Sequence, residues 1–163
     1  MPSVTSLPVD ADNSGTLNEV VQARKALAND EDYCQIDTAS IGAAGENAVF
    51  SDWDDIASGL PSNATITGVQ AILPEMFGNV TILGMFLSVD GGSSYSQPIS
   101  VDLSGMTKSG DSSVTTPAAA NDLWGLTWDT ASLDWDDVWL KITVAGGAAN
   151  RFFFFDFVQL KVY

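Results

Sequence analysis

The sequence predicts an all-β fold: an antiparallel two-sheet sandwich, jelly-roll-like, with an N-terminal arm and one short helix. Near the end of the chain Val138, Leu140, Ile142 and Val144 alternate with Trp139, Lys141 and Thr143, and Val158, Leu160 and Val162 alternate with Gln159 and Lys161. That period of two belongs to strands with one face on a core. Glycine-rich turns, Asp90-Gly91-Gly92-Ser93 and Ala145-Gly146-Gly147, separate the apolar runs and supply the positive-φ positions that tight hairpins need. After residue 30 no sustained helical run occurs. About eight strands in two sheets follow from this pattern.

Residues 1–25 read as the arm, and 26–163 as a single sandwich domain. Pro2, Pro8, Asp10, Asp12 and Asn13 mark the opening as loop-like. Thr16 to Glu19 then has capping-box spacing, and Leu17, Val20, Val21 and Leu27 fall near a helical period. A helix over 17–28 is expected, short enough to need packing against the rest of the chain.

Short strands are expected near Tyr33 to Asp37 and Ala48 to Trp53. Gly59 to Asn63 is a turn, in which Pro61 biases Leu60 to extended geometry. Strands follow at Thr65 to Pro74 and Val80 to Asp90. In the second of these Leu83, Met85, Leu87 and Val89 form one face, and Ile82 and Phe86 populate the other. Apolar residues on both faces place that strand between layers, or between a core and a contact. Tyr95 to Leu103 returns, and Pro98, which lacks a ladder donor, places this strand at an edge or a bulge. Ser104 to Asp122 reads as a long loop with a strand at Ser113 to Thr116, and Arg151 to Tyr163 as one long closing strand.

The chain has 163 residues, long enough for one core, with 21 acidic residues against 6 basic ones, no histidine and a net charge of −15. Such a charge opposes binding to nucleic acids and anionic membranes. Without histidine there is neither a Ser-His-Asp nor a Cys-His arrangement. The single cysteine, Cys34, allows no internal disulfide and no cysteine-based zinc site, and its acidic neighbours favour a buried thiol. The opening lacks the basic and apolar regions of an export signal, and Ile82 to Leu87 and Phe152 to Phe155 are too short to span a bilayer. A soluble product made in the cytoplasm, without catalysis or cofactors, is expected.

Asp10, Asp12, Ser14, Thr16 and Asn18, with Gly15 among them, reproduce most of the oxygen spacing of a calcium loop. Val21 stands where the bidentate glutamate belongs, so a plain polar arm is the competing reading. The two DWDD stretches, 52–55 and 134–137, read as loop ends whose tryptophan packs inward while the acids face water. Trp53, Trp124, Trp128, Trp135 and Trp139, with Tyr95, suit either a sugar-stacking platform or core and interface anchors. By alternation Trp139 points away from the core, and Phe153 and Phe155 are out of phase with Val158 and Leu160. Trp124, Trp128, Trp139, Phe153 and Phe155 are therefore the candidate interface or glycan-contact aromatics.

LPSNATITGVQ at 60–70, SVDGGSSYSQP at 88–98, LWGLTW at 123–128, FFDFVQLKVY at 154–163 and the earlier ALANDEDY at 26–33 together resemble small β-sandwich virion proteins of tailed phages. The resemblance spans 26–163 and rests on turn and packing residues. It implies a capsid decoration or cement protein, a trimer bound to the major capsid protein on the outer capsid surface. The strong negative charge fits an outward surface. Tail, fibre or baseplate components and carbohydrate-binding modules share this fold class and stand as alternatives.

Overall fold

The computed structural model describes residues 3–13, 20–21, 27–28, 33–38, 47–61, 63–104, 106, 112–130, 132–145 and 151–163. Two antiparallel sheets face each other. The larger contains β1 (Val4–Ser6), β3 (Val20–Val21), β4 (Cys34–Thr38), β6 (Val69–Gly78), β9 (Ser112–Thr116), β11 (Arg151–Phe155) and β12 (Gln159–Val162). The smaller runs β2 (Asp10–Asn13), β5 (Asn47–Ser51), β10 (Trp139–Ala145), β7 (Ile82–Ser88) and β8 (Ile99–Asp102) in spatial order. The sandwich expected from the alternation is thus the architecture of the chain.

The arm is tied into both layers. Its first strand pairs with the last, Val4 opposite Val162 and Ser6 opposite Leu160. Its second crosses to the other sheet, where Asp10 faces Ser51 and Asn13 faces Ala48. The helix expected over 17–28 does not form at Val20 and Val21, which pair with Ile36 and Gln35 as β3. Two adjacent β-branched residues favour extended backbone, and a neighbouring edge supplies the ladder that an isolated short helix lacks. Residues 14–19 and 22–26 lie outside the described residues. Among the described residues the α-helix is α1 (Asp54–Gly59), which follows the first DWDD tryptophan, Trp53, and buries Ile56.

β10 behaves as its alternation predicts. Leu140, Ile142 and Val144 are buried against Leu87, Met85 and Leu83 of β7, their register partners. β8 lies at the sheet edge and begins immediately after Pro98, where the missing donor costs no pairing. β6 begins later than expected and runs through Pro74, because a bulge between Leu73 and Met76 absorbs the proline.

The closing strand is two strands. Phe153 and Phe155 point into the core and are fully buried, as are Val158, Leu160 and Val162. The break at Asp156 to Val158 changes the phase so that both sets face inward, opposite the bulge in β6, where the Asp156 amide donates to the Glu75 carbonyl at 3.3 Å. Phe153 and Phe155, expected as contact residues, are therefore core. Phe155 meets Phe50 of the opposite sheet edge to face at 5.9 Å. Burying each such ring contributes roughly 1.5–3 kcal/mol.

Candidate functional site

The five tryptophans divide by position. Trp53, Trp124 and Trp135 are core residues. Trp53 donates its indole N–H to the Val138 carbonyl at 2.8 Å, and Trp124 donates to the Val69 carbonyl at 2.8 Å. Trp128 is half-buried, tilted against Trp135 at 6.1 Å, and bonds the Leu123 carbonyl. Asp134, Asp136 and Asp137 are exposed around the inward Trp135, as expected for a loop end. Trp139 alone stands on the outer face of a sheet.

That face belongs to the five-stranded layer. From the central strand β10 it carries Trp139, Lys141 and Thr143, opposite Ser88, Phe86 and Gly84 of β7. Ser100 of β8 continues the Gly84 row, and Asp102 lies beside Ile82, which is 43% exposed. A depression of about 480 Å³ opens there, lined by Thr81, Ile82, Ser100, Val101, Asp102 and Ser104. Tyr95, from the loop joining β7 to β8, stands edge to face on Phe86 at 6.4 Å. The Lys141 ammonium lies 3.7 Å from the Tyr95 ring centre and 4.5 Å from that of Phe86. Partial burial lowers the Lys141 pKa and, with the charge of Asp90 as the smaller cause, raises that of Tyr95.

The glycine hairpin seats the aromatic residues. Gly91 and Gly92 have φ of 64° and 77°, the left-handed geometry expected of this turn. A Cβ on Gly92 would come within 2.5 Å of the Trp139 ring, so a side chain there would collide with the indole. The Trp139 N–H is used by the Asp136 carbonyl at 3.0 Å. Asp90 holds the turn from its side: its carboxylate accepts from the Ser94 hydroxyl at 2.6 Å, the Ser88 hydroxyl at 2.7 Å and the Ser94 amide at 2.9 Å. These bonds, led by the Ser94 hydroxyl, bring its pKa down to about 2.

The outer face of the larger sheet carries a second aromatic strip. Phe77 and Phe154 stack at 4.9 Å with 17° between planes, Tyr33 meets Phe77 at 5.1 Å, and Phe152 meets Phe154 at 5.3 Å. The Tyr33 hydroxyl donates to Glu75. Of the calcium-loop residues, Asp10 and Asp12 lie in β2, while Ser14, Thr16 and Asn18 fall outside the described residues. Among the described residues no three cysteine or acidic side chains gather as a metal site. Cys34 is fully buried, and burial raises its thiol pKa to about 12.

The outer face of the small sheet offers ring surface, a cation and hydroxyls, which are tools for binding. Trp139 and Tyr95 were legible as candidates in the sequence. Lys141 and Phe86 were not, because their meeting depends on the register between β10 and β7, which a single strand's alternation does not specify.

No protein family matches the chain, and no curated protein does. Among solved structures it is similar over its length to a xylan-binding module, CBM15, with a TM-score of 0.51 at 11% identity, covering 99% of this chain and 96% of that one. A truncated AlyQ with CBM32 and alginate lyase domains aligns with 98% of this chain at 10% identity and a TM-score of 0.49. The chain spans only 33% of that structure. A family 11 carbohydrate-binding module from Clostridium thermocellum, in complex with a β-1,3-1,4-mixed-linked tetrasaccharide, aligns with 99% of this chain and 86% of its own at 8% identity and a TM-score of 0.43. At 11% identity the likeness to the xylan-binding module is one of fold.

Proposed function

We propose that the chain is a non-catalytic carbohydrate-binding module whose ligand lies on the outer face of the five-stranded sheet. The observation that carries this reading is the pair Phe86 and Tyr95, half-buried around Lys141, with the half-buried Trp139 and Thr143 on the same outward face of the strand. Flat rings suit the apolar faces of pyranoses, and hydroxyl and ammonium groups at their edges suit sugar hydroxyls. The whole-length fold likeness to a xylan-binding module supports the same direction. Ring contacts and hydrogen bonds account for the site without any reacting group.

The test is affinity electrophoresis and calorimetry against xylan, mixed-linkage β-glucan, cellulose and mannan, with wild type beside Trp139→Ala. Binding of at least one glycan, weakened about tenfold or more by the substitution, is the expected result. Retention of full affinity by Trp139→Ala would move the site elsewhere, and no binding to any of the four would remove the reading.

A second reading, a structural component of a phage particle, is supported by the turn and packing residues of the resemblance and by the charge of −15. On that reading the chain decorates the outer capsid surface as a trimer. Co-sedimentation with expanded capsids, with tails as the comparison, distinguishes it.

A further inference from the structure

We propose that Lys141 makes the outer face of the small sheet selective for a sugar residue bearing a carboxylate, a uronate set within an otherwise neutral glycan. This rests on the glycan reading of that face and adds the class of sugar. Only 6 residues of the chain are basic against 21 acidic, and one of the 6 stands at the centre of the aromatic group. Among the described residues the ammonium's contacts are the rings of Tyr95 and Phe86, at 3.7 and 4.5 Å. A ring quadrupole attracts a cation without neutralising it. The position is therefore held by the rings while the charge stays available, and an ammonium has three N–H groups to give. The neighbouring carboxylate of Asp90 is committed to Ser88 and Ser94. A carboxylate arriving with a sugar stacked on the rings thus meets a preplaced, partly desolvated cation, and the resulting charge-assisted bond is stronger than one between neutral groups.

The charge of the whole chain sets how many carboxylates the ligand carries. Screening at physiological salt acts over about 8 Å, so one carboxylate at Lys141 responds to that ammonium and, against it, to the fixed charge of Asp90, which also acts on Tyr95. A polyuronate would spread its charges over the rest of a surface with a formal total of −15 and be repelled. The selected ligand is accordingly a sparsely charged chain.

The experiment titrates the full chain with xylohexaose, cellohexaose and xylohexaose carrying a single glucuronate branch, at low and high salt. The branched oligomer is expected to bind about tenfold more tightly than either neutral one at low salt, an advantage that shrinks as salt rises. Lys141→Met, which keeps an unbranched stem and loses the charge, is expected to bind the branched and neutral oligomers equally, whatever its affinity for the neutral ones; Lys141→Arg is expected to keep the advantage. Equal binding of neutral and branched oligomers by the wild type overturns the inference and leaves the glycan reading standing. If no oligomer binds, the glycan reading falls and takes the inference with it. Should Lys141→Met fail to fold, the wild-type comparison and Lys141→Arg still decide.

Discussion

The indole N–H of Trp53 donates to the main-chain carbonyl of Val138 at 2.8 Å, with both residues fully buried. This bond ties the first DWDD stretch to the residue that follows the second, 85 positions on, where α1 and the 3₁₀ turn Trp135–Asp137 pack together at one end of the sandwich. Trp53→Phe keeps an aromatic ring but withdraws the donor from a buried carbonyl. It is expected to cost about 1–3 kcal/mol from the hydrogen bond alone. Trp139→Phe loses a solvent-exposed indole bond and is expected to cost about 1 kcal/mol or less, the value of an ordinary hydrogen bond. Urea unfolding of the two variants side by side checks the contrast; equal losses would count against it.

The Gly91–Gly92 turn is expected to loosen in strong acid. Because the folded-state pKa of Asp90 is lowered from 3.8 to about 2, its contribution to stability is fully present above 3.8 and is lost as pH falls through about 2. A carbon-detected NMR titration of the Asp90 carboxyl should show its midpoint near 2, with the Ser94 amide losing exchange protection in the same range. A midpoint near 3.8 would show that the three bonds to Ser88 and Ser94 do not persist in solution.

Two adjacent phenylalanines should separate sharply under truncation. Phe153 is fully buried, and Phe153→Ala is expected to cost about 3–5 kcal/mol. Phe152 is half-buried, packed on Phe154 of the outer strip, and Phe152→Ala is expected to cost about 1 kcal/mol, the scale of one surface aromatic pair. Denaturant midpoints measure both. The reverse ranking would restore the phase in which Phe153 faces outward.

That phase shows where sequence reasoning reaches its limit. In β10 a single uninterrupted alternation runs from Trp139 to Ala145, and the inward and outward faces were legible residue by residue. Between Phe155 and Val158 a three-residue step reverses the phase, and its cause lies on another strand, in the bulge around Pro74 and Glu75. Pro74 signalled a strand end when read alone, although in the sheet it sits within a bulge. Val20 and Val21 carried a helical spacing that an available strand edge outweighed. The same limit applies to the binding face: the outward direction of Trp139 was visible, whereas the seating of Lys141 over Phe86 and Tyr95 required both the register of β7 on β10 and the return of the glycine hairpin.

Val4 lies directly across from Val162, so the first and last strands are neighbours in one sheet. The sandwich is therefore entered and left at nearly one point. A short linker joining those two strands, with the backbone reopened at the exposed turn residues Ser93 and Ser94, gives a circular permutant that keeps every strand pairing of the two sheets. For the same reason the domain can be spliced into a surface loop of a host protein without prying that loop apart. A recombinant reporter can thus carry this face at an internal position as readily as at an end.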